Sequence, residues 1–453
     1  MAFSGRILRL LLLLALPPLL GEEVLSLDDA IATALRHNRN LLNVQSAISE
    51  AELEREARLA DFRLTPGIRS TAGRGPAREQ AEAGLELRQT FTTGGEVRVF
   101  GGIVYDGNSE ETRLRVNARQ PLFRQAGSLV TLEPLVRADR ALTDARRAAF
   151  ERRQMLVLEV AVAYEAILRA ARQVESDERS LTRLDGLSAL TRAREETGQV
   201  SRVDVLRLEL QRGEAETRLQ NSRDILDTLR EEFALLLGRD PLQRFILTPP
   251  PLLELDPPDP DEAFVLALRN RIDLARALDA LDDAGRQIRI ARRNLLPDVR
   301  LIGDLEADGD FPDLQNESWF VGFSLEPDFN AVDRQAGVAR AELRREQIER
   351  QVAELHHLVQ RDVRRQLRDY RRSQSNLVIA TRNRELSDRR LQLSEALFRM
   401  GRGDAVTLSD AEDALALAVR TELAARSDAS LSAYRLLLTL GTLLEIPEDI
   451  RSL

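Results

Sequence analysis

Two stretches of the chain follow one pattern, and this doubling restricts the fold more than any other feature. Residues 198–238 and 401–441 each begin and end with a glycine at the same spacing. Between the glycines each has an uninterrupted helical pattern that ends in a leucine-rich turn. A glycine before a long helix permits a tight reversal, and a glycine after it fits a left-handed C-cap. We therefore interpret the chain as two copies of one long helical hairpin.

The composition favours long helices and excludes some classes of protein. With 453 residues, the chain is too long for one ordinary core, so we expect two units or one very elongated unit. The net charge of -9 argues against general nucleic-acid binding. The absence of cysteine excludes disulfides and thiolate metal sites.

The N-terminus has the pattern of an export signal. In residues 1–21, Arg6 and Arg9 precede an apolar run that is shorter than the about 20 residues needed to span a bilayer. We interpret it as a secretory signal peptide, with a membrane anchor as the alternative. No later segment is apolar enough for a transmembrane helix, so the mature protein is expected to be periplasmic, secreted or an outer-membrane barrel.

The first repeat, residues 22–240, contains both helical and alternating patterns. A helix is predicted from Leu27 to about Leu64, and Pro66 ends it. Residues 65–122 then alternate apolar and polar side chains over segments of about ten residues, which is typical of transmembrane β-strands. The alternative is a half-buried sheet in a soluble domain. The pattern leaves open whether this region holds two strands or four.

A long helical hairpin completes the first repeat. The helical period returns near Leu132 and persists to Glu196, which is roughly 100 Å of helix. The chain is predicted to reverse at a tip at 197–203 and to return as a second helix. Apolar residues recur at coiled-coil spacing, so a plain coiled-coil spacer is the alternative interpretation.

The second repeat follows the same order of elements. Residues 241–260 hold seven prolines and are predicted to be an extended linker. The repeat spans 261–441, with strands at 297–327 and a hairpin tip at 400–406. Residues 442–453 form a C-terminal tail.

The doubled architecture resembles the TolC-like outer-membrane efflux protein family, also called outer membrane factors. The resemblance depends on the order of elements, on Val203-Asp204-Val205-Leu206 after Gly198, and on the QPLF sequence at 120–123. It implies a mainly α fold with transmembrane β: a trimeric outer-membrane β-barrel continued into a long periplasmic α-helical barrel, with two structural repeats per chain.

The resemblance also implies a function. The chain is expected to be the outer-membrane channel of a tripartite efflux or type I secretion system. It would be a homotrimer in the outer membrane of a Gram-negative bacterium, extending into the periplasm, where a periplasmic membrane-fusion adaptor links it to an inner-membrane transporter. No enzymatic activity, cofactor or metal is expected. The alternative function is a soluble periplasmic coiled-coil adaptor or scaffold protein.

The strand count supports a shared barrel independently of the resemblance. One chain offers four to six strands, whereas a closed membrane barrel needs at least about eight. An open sheet edge cannot lie in lipid, because its backbone groups would have no hydrogen-bond partners. Several chains must therefore share the barrel, and three is the number that the family implies.

The hairpin tips are the candidate functional sites. In the family, carboxylates at these tips form the periplasmic constriction, which matches Asp204 and Asp410 here. The position equivalent to Asp204 in the second tip is Thr407, so Asp404 and Asp413 are the substitute candidates, of which Asp404 is assigned to the constriction. Such rings would favour cations. The alternative is that these acids are solvated helix-start residues that the helix macrodipole favours.

Two further sets of tip residues complete the expectation. Arginines beside the acids are predicted to pair with them between neighbouring tips and to hold the mouth closed. Small residues at the turns are predicted to contact the adaptor. The arginines are Arg202, Arg399 and Arg402, and the adaptor-contact residues are Gly198, Val200, Ser201, Gly401 and Gly403.

Overall fold

The computed structural model describes residues 23–75, 78–105, 107, 109–310, 313–326 and 332–450. The predicted signal peptide, residues 1–21, lies outside this part of the chain. The protein divides into two compact units, and each takes segments from both repeats. The described segments of unit 1 are 23–38, 159–252 and 380–427. Those of unit 2 lie within 39–158, 253–379 and 428–450.

Each repeat has two short helices, strands and a long helical hairpin. The elements of the first repeat are β1 (Glu23–Leu25), α1 (Leu27–His37), α2 (Arg39–Ala60), β2 (Thr65–Gly75), β3 (Arg78–Thr90), β4 (Glu96–Tyr105), β5 (Glu110–Pro121), α3 (Ser128–Thr131), α4 (Glu133–Glu196) and α5 (Arg202–Leu236). Those of the second are β6 (Phe245–Leu247), α6 (Pro260–Asn270), α7 (Ile272–Arg293), β7 (Asp298–Asp310), β8 (Asp313–Glu326), α8 (Val332–Arg399) and α9 (Ala405–Leu440). A short 3-10 turn, Glu448–Ile450, follows.

The opening helix of each repeat is interrupted, which the sequence did not predict. Asn38 has an extended backbone between α1 and α2, and its side-chain amide donates to the main-chain oxygen of Leu236 at 2.9 Å. Arg271 has the same extended backbone between α6 and α7. The single helix predicted from Leu27 to about Leu64 was therefore wrong: the extended backbone of Asn38 ends α1, and the side chain at this break bonds to the main-chain oxygen of a residue about 200 positions away.

The four glycines that define the repeats all terminate helices. Gly198, Gly238, Gly401 and Gly441 have φ between 70° and 75°, the left-handed conformation that a Cβ disfavours. At each glycine, its N–H donates to the carbonyl three residues earlier, and the next N–H donates five residues back. This is the Schellman pattern, which satisfies the last carbonyls of a helix.

Two of these glycines also permit a close approach of backbones. A Cβ on Gly238 would lie 2.3 Å from the main-chain oxygen of His37, at the end of α1. A Cβ on Gly441 would lie 2.9 Å from the main-chain oxygen of Asn270, at the end of α6. The last residue of each hairpin therefore packs on the end of the first helix of the same repeat.

Six strands form one antiparallel sheet in the order β2-β3-β4-β5-β7-β8. The first repeat supplies four of them and the second supplies two, which answers the question that the alternating pattern left open. The two repeats meet in the sheet where Asn117 of β5 pairs with Asp304 of β7. Strands β2 and β8 are the edges and have one neighbour each.

The proline-rich segment is held in place by tyrosine hydroxyls. In unit 1, β6 pairs with β1 in parallel, and the buried hydroxyl of Tyr164 lies 2.9 Å from the Leu25 oxygen and 2.6 Å from the Thr248 oxygen. Burial raises the pKa of Tyr164 to about 12. In unit 2, the hydroxyl of Tyr370 lies 2.8 Å from the nitrogen and 3.0 Å from the oxygen of Leu255. The segment is therefore bound to a helix of each unit, through Thr248 to α4 and through Leu255 to α8.

Candidate functional surfaces: the two-faced sheet and the hairpin tips

The six-stranded sheet has one apolar face and one charged face, because side chains alternate along each strand and the register keeps like residues side by side. The apolar face is formed by Ile68, Ala83, Leu85, Leu87, Val97, Val99, Ile103, Leu114, Val116, Ala118, Leu301, Leu305, Trp319, Val321, Phe323 and Leu325. Its side chains are unusually exposed: Ile68 is 85%, Trp319 75% and Phe323 72% exposed. Large apolar groups left in water on one surface indicate a lipid or protein partner.

The charged face carries acids and arginines in pairs. It is formed by Arg69, Glu82, Glu86, Arg88, Glu96, Arg98, Arg113, Arg115, Asn117, Arg119, Arg300, Asp304, Glu306 and Asp308. Where β5 meets β7, Arg113 contacts Asp308 at 2.6 Å and Arg115 contacts Glu306 at 3.1 Å. Cross-strand pairs of opposite charge stabilise a sheet modestly, and here they also neutralise most of the charge on the face.

Two phenylalanines interrupt the charged face in the same way. The ring of Phe100 lies over the glycine pair Gly84 and Gly102, and a Cβ on either glycine would lie less than 3 Å from that ring. The ring of Phe320 covers Gly322, two residues further along its strand, in the same manner. Phe100 is 2% exposed, so it fills the space above the glycines. The glycines thus make room for a ring that lies flat on the sheet.

The tips of the two hairpins share one core in unit 1. It joins residues of α4 and α5 to residues of α8 and α9, all of them buried. Its members are Leu184, Leu187, Leu208, Ala215, Leu391, Phe398, Ala405, Leu408, Ala411 and Leu415. Because both hairpins contribute, the two tips form one packed unit.

The predicted constriction acids lie at the starts of the return helices. Ser201 caps α5: its hydroxyl accepts from the Asp204 nitrogen at 3.3 Å and donates to the Asp204 carboxylate at 2.6 Å. Asp404 caps α9 by accepting from the Thr407 nitrogen at 2.9 Å. Hydrogen bonding to the Thr407 side chain, and after it to the Thr407 nitrogen, lowers the pKa of Asp404. The second tip therefore exchanges the Ser-Asp pair of the first for an Asp-Thr pair.

Asp410 differs from the two capping acids. It lies inside α9, six residues after Asp404, and is exposed. Asp204 is about 29% exposed and has Arg207 at 3.8 Å. Counted from the glycine before each return helix, Asp404, Asp204 and Asp410 lie three, six and nine residues on, so the three acids stand at three depths.

Two of the three predicted tip arginines have ion-pair partners within their own hairpins. Arg202 contacts Glu195 at 3.1 Å across the first turn, and Arg399 contacts Glu395 at 3.3 Å on the same helix. Arg402 has no ion pair with the described residues. Within the described part of one chain, none of these three arginines contacts Asp204, Asp404 or Asp410. The predicted pairs between neighbouring chains stay a prediction.

The predicted adaptor-contact residues are at the turns. Gly198, Ser201 and Gly401 are exposed, whereas Val200 and Gly403 are half-buried. A Cβ on Gly403 would lie 3.0 Å from the Phe398 nitrogen, so this glycine is needed for the turn itself. Gly198 has open space around its Cβ position.

Two arginines that the sequence did not single out connect the hairpins. Arg194 of α4 donates to the main-chain oxygens of Phe398 at 2.8 Å and Arg399 at 2.6 Å. Arg183 of α4 forms a two-point pair with the carboxylate of Glu412 on α9, at 2.8 and 3.1 Å. Nothing local marks either arginine, because the partners are more than 200 residues away.

Among the described residues, no helix combines the length and the apolar character needed to cross a membrane. Within the same part of the chain, no group of three or more His, Asp or Glu side chains is arranged to hold a metal ion.

Comparison with known proteins identifies relatives by family model and by fold. Residues 264–442 match the model of the outer membrane efflux protein family. The outer-membrane channel OprN superposes with a TM-score of 0.72 at 20% identity, covering 92% of this chain and 89% of its own.

Two further solved structures are similar over nearly all of the chain. The outer membrane protein VceC from Vibrio cholerae has a TM-score of 0.71 at 17% identity, covering 92% of this chain and 96% of its own. The CmeC outer membrane channel of Campylobacter jejuni has a TM-score of 0.72 at 13% identity, covering 92% and 86%. Comparison with curated protein sequences finds no match. These findings confirm the resemblance and the fold class that the sequence predicted.

Proposed function

We propose that this TolC-like chain, which carries an outer membrane efflux protein domain at 264–442, is the passive exit duct of an export machine. Copies of the chain, three in the family that it resembles, would close a wall through the outer membrane. A periplasmic adaptor and an inner-membrane transporter would load the duct.

The two-faced sheet carries this proposal. Its apolar face exposes side chains such as Ile68 and Trp319, which lipid would cover at a gain of about 25 cal/mol per Å². Its edge strands leave backbone groups unpaired, and such edges cannot lie in lipid. Sister chains must therefore pair with both edges, and the charged face then lines a water-filled passage.

The hairpin tips supply the surface for a partner. Large apolar side chains stay exposed there in one chain: Val203 is 63%, Leu210 65% and Met400 62% exposed. We propose that an adaptor docks at the turns, contacting Gly198, Val200, Ser201, Gly401 and Gly403. Val200→Glu should abolish capture of the adaptor and leave membrane insertion intact, and loss of insertion would show that the turn is structural only.

We propose further that tip carboxylates form cation-favouring rings at the mouth. Asp410→Asn is the cleanest test, because Asp410 is exposed and does not cap a helix. Asp204→Asn and Asp404→Asn extend the test to the capping acids. Unchanged cation preference in all three variants would contradict the ring.

The main test is reconstitution. The mature protein should need detergent for purification and should give discrete conductance steps in planar lipid bilayers. A single, dispersed species that is water-soluble without surfactant would overturn the duct and favour a periplasmic scaffold.

A further inference from the structure

We propose that β8 of one chain pairs with β2 of the next in a single antiparallel register, in which Phe323 lies opposite Ile68. Three chains of six strands each would then close an eighteen-stranded wall. This inference rests on the proposed function, because it needs the sheet to close between copies.

The register is indicated by the strand ends on one side of the sheet, where β2, β4 and β7 begin and β3, β5 and β8 end. Following the paired residues across the sheet from Thr65 of β2 leads through Arg88, Arg98, Asn117 and Asp304 to Phe320 of β8. The strands do not end on this row. Relative to it, β3 extends two residues further, to Thr90, and β5 extends four, to Pro121.

The same progression continues to the far edge. Strand β7 begins at Asp298, six residues beyond the row, and β8 ends at Glu326, also six residues beyond Phe320. From β2 to β8, each strand therefore extends on average about one residue further beyond the row than the strand before it. When Thr65 of the next copy lies beside Glu326, the ends of all strands stay level around the wall.

This offset gives a strand tilt that closed sheets adopt. One residue is about 3.3 Å along a strand and neighbouring strands are about 4.8 Å apart, so the strands tilt by about 35°. Barrels tilt their strands by about 35–45°, and an eight-stranded barrel with a shear of eight has a tilt near 36°. The tilt depends only on the offset per strand, so it does not assume the number of chains.

The two edges are complementary in this register. The sheet has an even number of strands, so β8 and the neighbouring β2 run antiparallel. The offset of six residues is even, which keeps each side chain on its own face. On the apolar face Ile68 meets Phe323 and Ala72 meets Trp319, and on the charged face Arg69 meets Gly322.

The exposures agree with this pairing. Among the sheet side chains that the structure describes, Ile68, Trp319 and Phe323 are the three most exposed large apolar ones, and all lie on the two edge strands. A neighbouring strand would cover one side of each. Eighteen strands at this tilt enclose a ring about 34 Å across between backbones, which leaves an open aqueous interior.

Cysteine pairs test the register directly, because the chain has no cysteine of its own. Ile68→Cys is combined with Val321→Cys, Phe323→Cys or Leu325→Cys, three positions on one face of one strand. Opposed residues bring their Cα atoms within about 5.5 Å, whereas a shift of two residues separates them by about 8 Å, beyond disulfide reach. Only the Phe323→Cys pair should convert the monomer to covalent dimers and trimers under mild oxidation.

The failures are distinguishable. Cross-linking through Val321→Cys or Leu325→Cys instead would overturn the register. If no variant forms a cross-link although all of them conduct ions when reduced, the pairing of β8 with the neighbouring β2 is wrong. The proposed function as a duct would not be affected. If the unsubstituted protein does not conduct ions in lipid bilayers, the proposed function itself is wrong. A particle mass other than three chains would overturn the count of eighteen.

Discussion

The guanidinium of Arg194, in the last turn of α4, donates to the main-chain oxygen of Phe398 at 2.8 Å and lies 5.6 Å from the centre of its ring. One arginine of the first hairpin thus holds the C-terminal end of α8 in the second. Carbonyls at a helix C-terminus carry partial negative charge, so a cation there is favourable.

Removing this arginine should loosen the second tip. Hydrogen bonds from a charged donor contribute about 1.5–3 kcal/mol. We expect Arg194→Ala to speed amide hydrogen exchange around residues 398–404 about tenfold, since 1.4 kcal/mol corresponds to a factor of ten.

Arg192→Ala is the matched control for this prediction. Arg192 lies two residues earlier on α4 and pairs with Glu209 of its own hairpin. Equal acceleration of exchange at 398–404 in both variants would contradict a specific role for Arg194.

The pair between Arg183 and Glu412 should behave as a buried ion pair. Glu412 is 4% exposed, so Arg183→Ala leaves its carboxylate without a charge partner. We expect a loss of about 3 kcal/mol in unfolding free energy, the low end for such pairs, because the Arg183 side chain is 32% exposed.

A double variant separates charge burial from packing in this test. Arg183→Leu with Glu412→Leu removes both charges together and should recover most of the lost stability. If the double variant were as unstable as Arg183→Ala, the destabilisation would come from lost packing. Thermal unfolding of the detergent-solubilised protein measures both.

The repeat-defining glycines should differ in their tolerance of alanine. Gly198 and Gly238 have nearly the same φ, 72° and 73°, but only Gly238 has a backbone atom close to its Cβ position. Gly198→Ala should cost about 1–2 kcal/mol for the left-handed conformation. Gly238→Ala adds the collision with His37, for a total of roughly 2–5 kcal/mol. Equal melting temperatures for the two variants would refute the steric argument.

The cap of α9 should respond to acid. Interaction with Thr407 lowers the pKa of Asp404, so the ionised form is favoured in the folded protein. Its stabilising effect is therefore complete above the ordinary aspartate pKa and is lost as the pH falls through the lowered value. The protection factors of amides near Thr407, which correct for the intrinsic pH dependence of exchange, should be lower at pH 3 than at pH 5 in the native protein.

Two substitutions provide the control for the acid response. Asp404→Asn keeps a capping oxygen without a titrating group, so it should remove the pH dependence and keep most of the protection. Asp404→Ala should lose protection at both pH values. A native-like pH response in Asp404→Asn would assign the titration to another group.

The features that the sequence predicted correctly are local or periodic. Four glycines marked the ends of four helices. Alternation of apolar and polar residues marked the two-faced sheet. The number of strands in residues 65–122 was left open, because four short strands and two longer ones both give alternation of apolar and polar residues.

The features that sequence reasoning missed depend on distant partners. The breaks at Asn38 and Arg271 have no glycine or proline to signal them, and the break at Asn38 is fixed by Leu236. The short strands β1 and β6 pair across about 220 residues of sequence and are only three residues long. In the sequence, Arg194 resembles any surface arginine of a helix, and only its tertiary contact with Phe398 distinguishes it.

The contact between the end of each hairpin and its first helix has a consequence for biosynthesis. The side-chain amide of Asn38 has no access to the Leu236 oxygen until Leu236 emerges from the ribosome, 198 residues later. Until then this hydrogen bond at the end of the opening helix cannot form, and closing so long a loop is slow. The proposed export of this chain through an inner-membrane translocon would benefit from this delay, since premature compaction would block its passage.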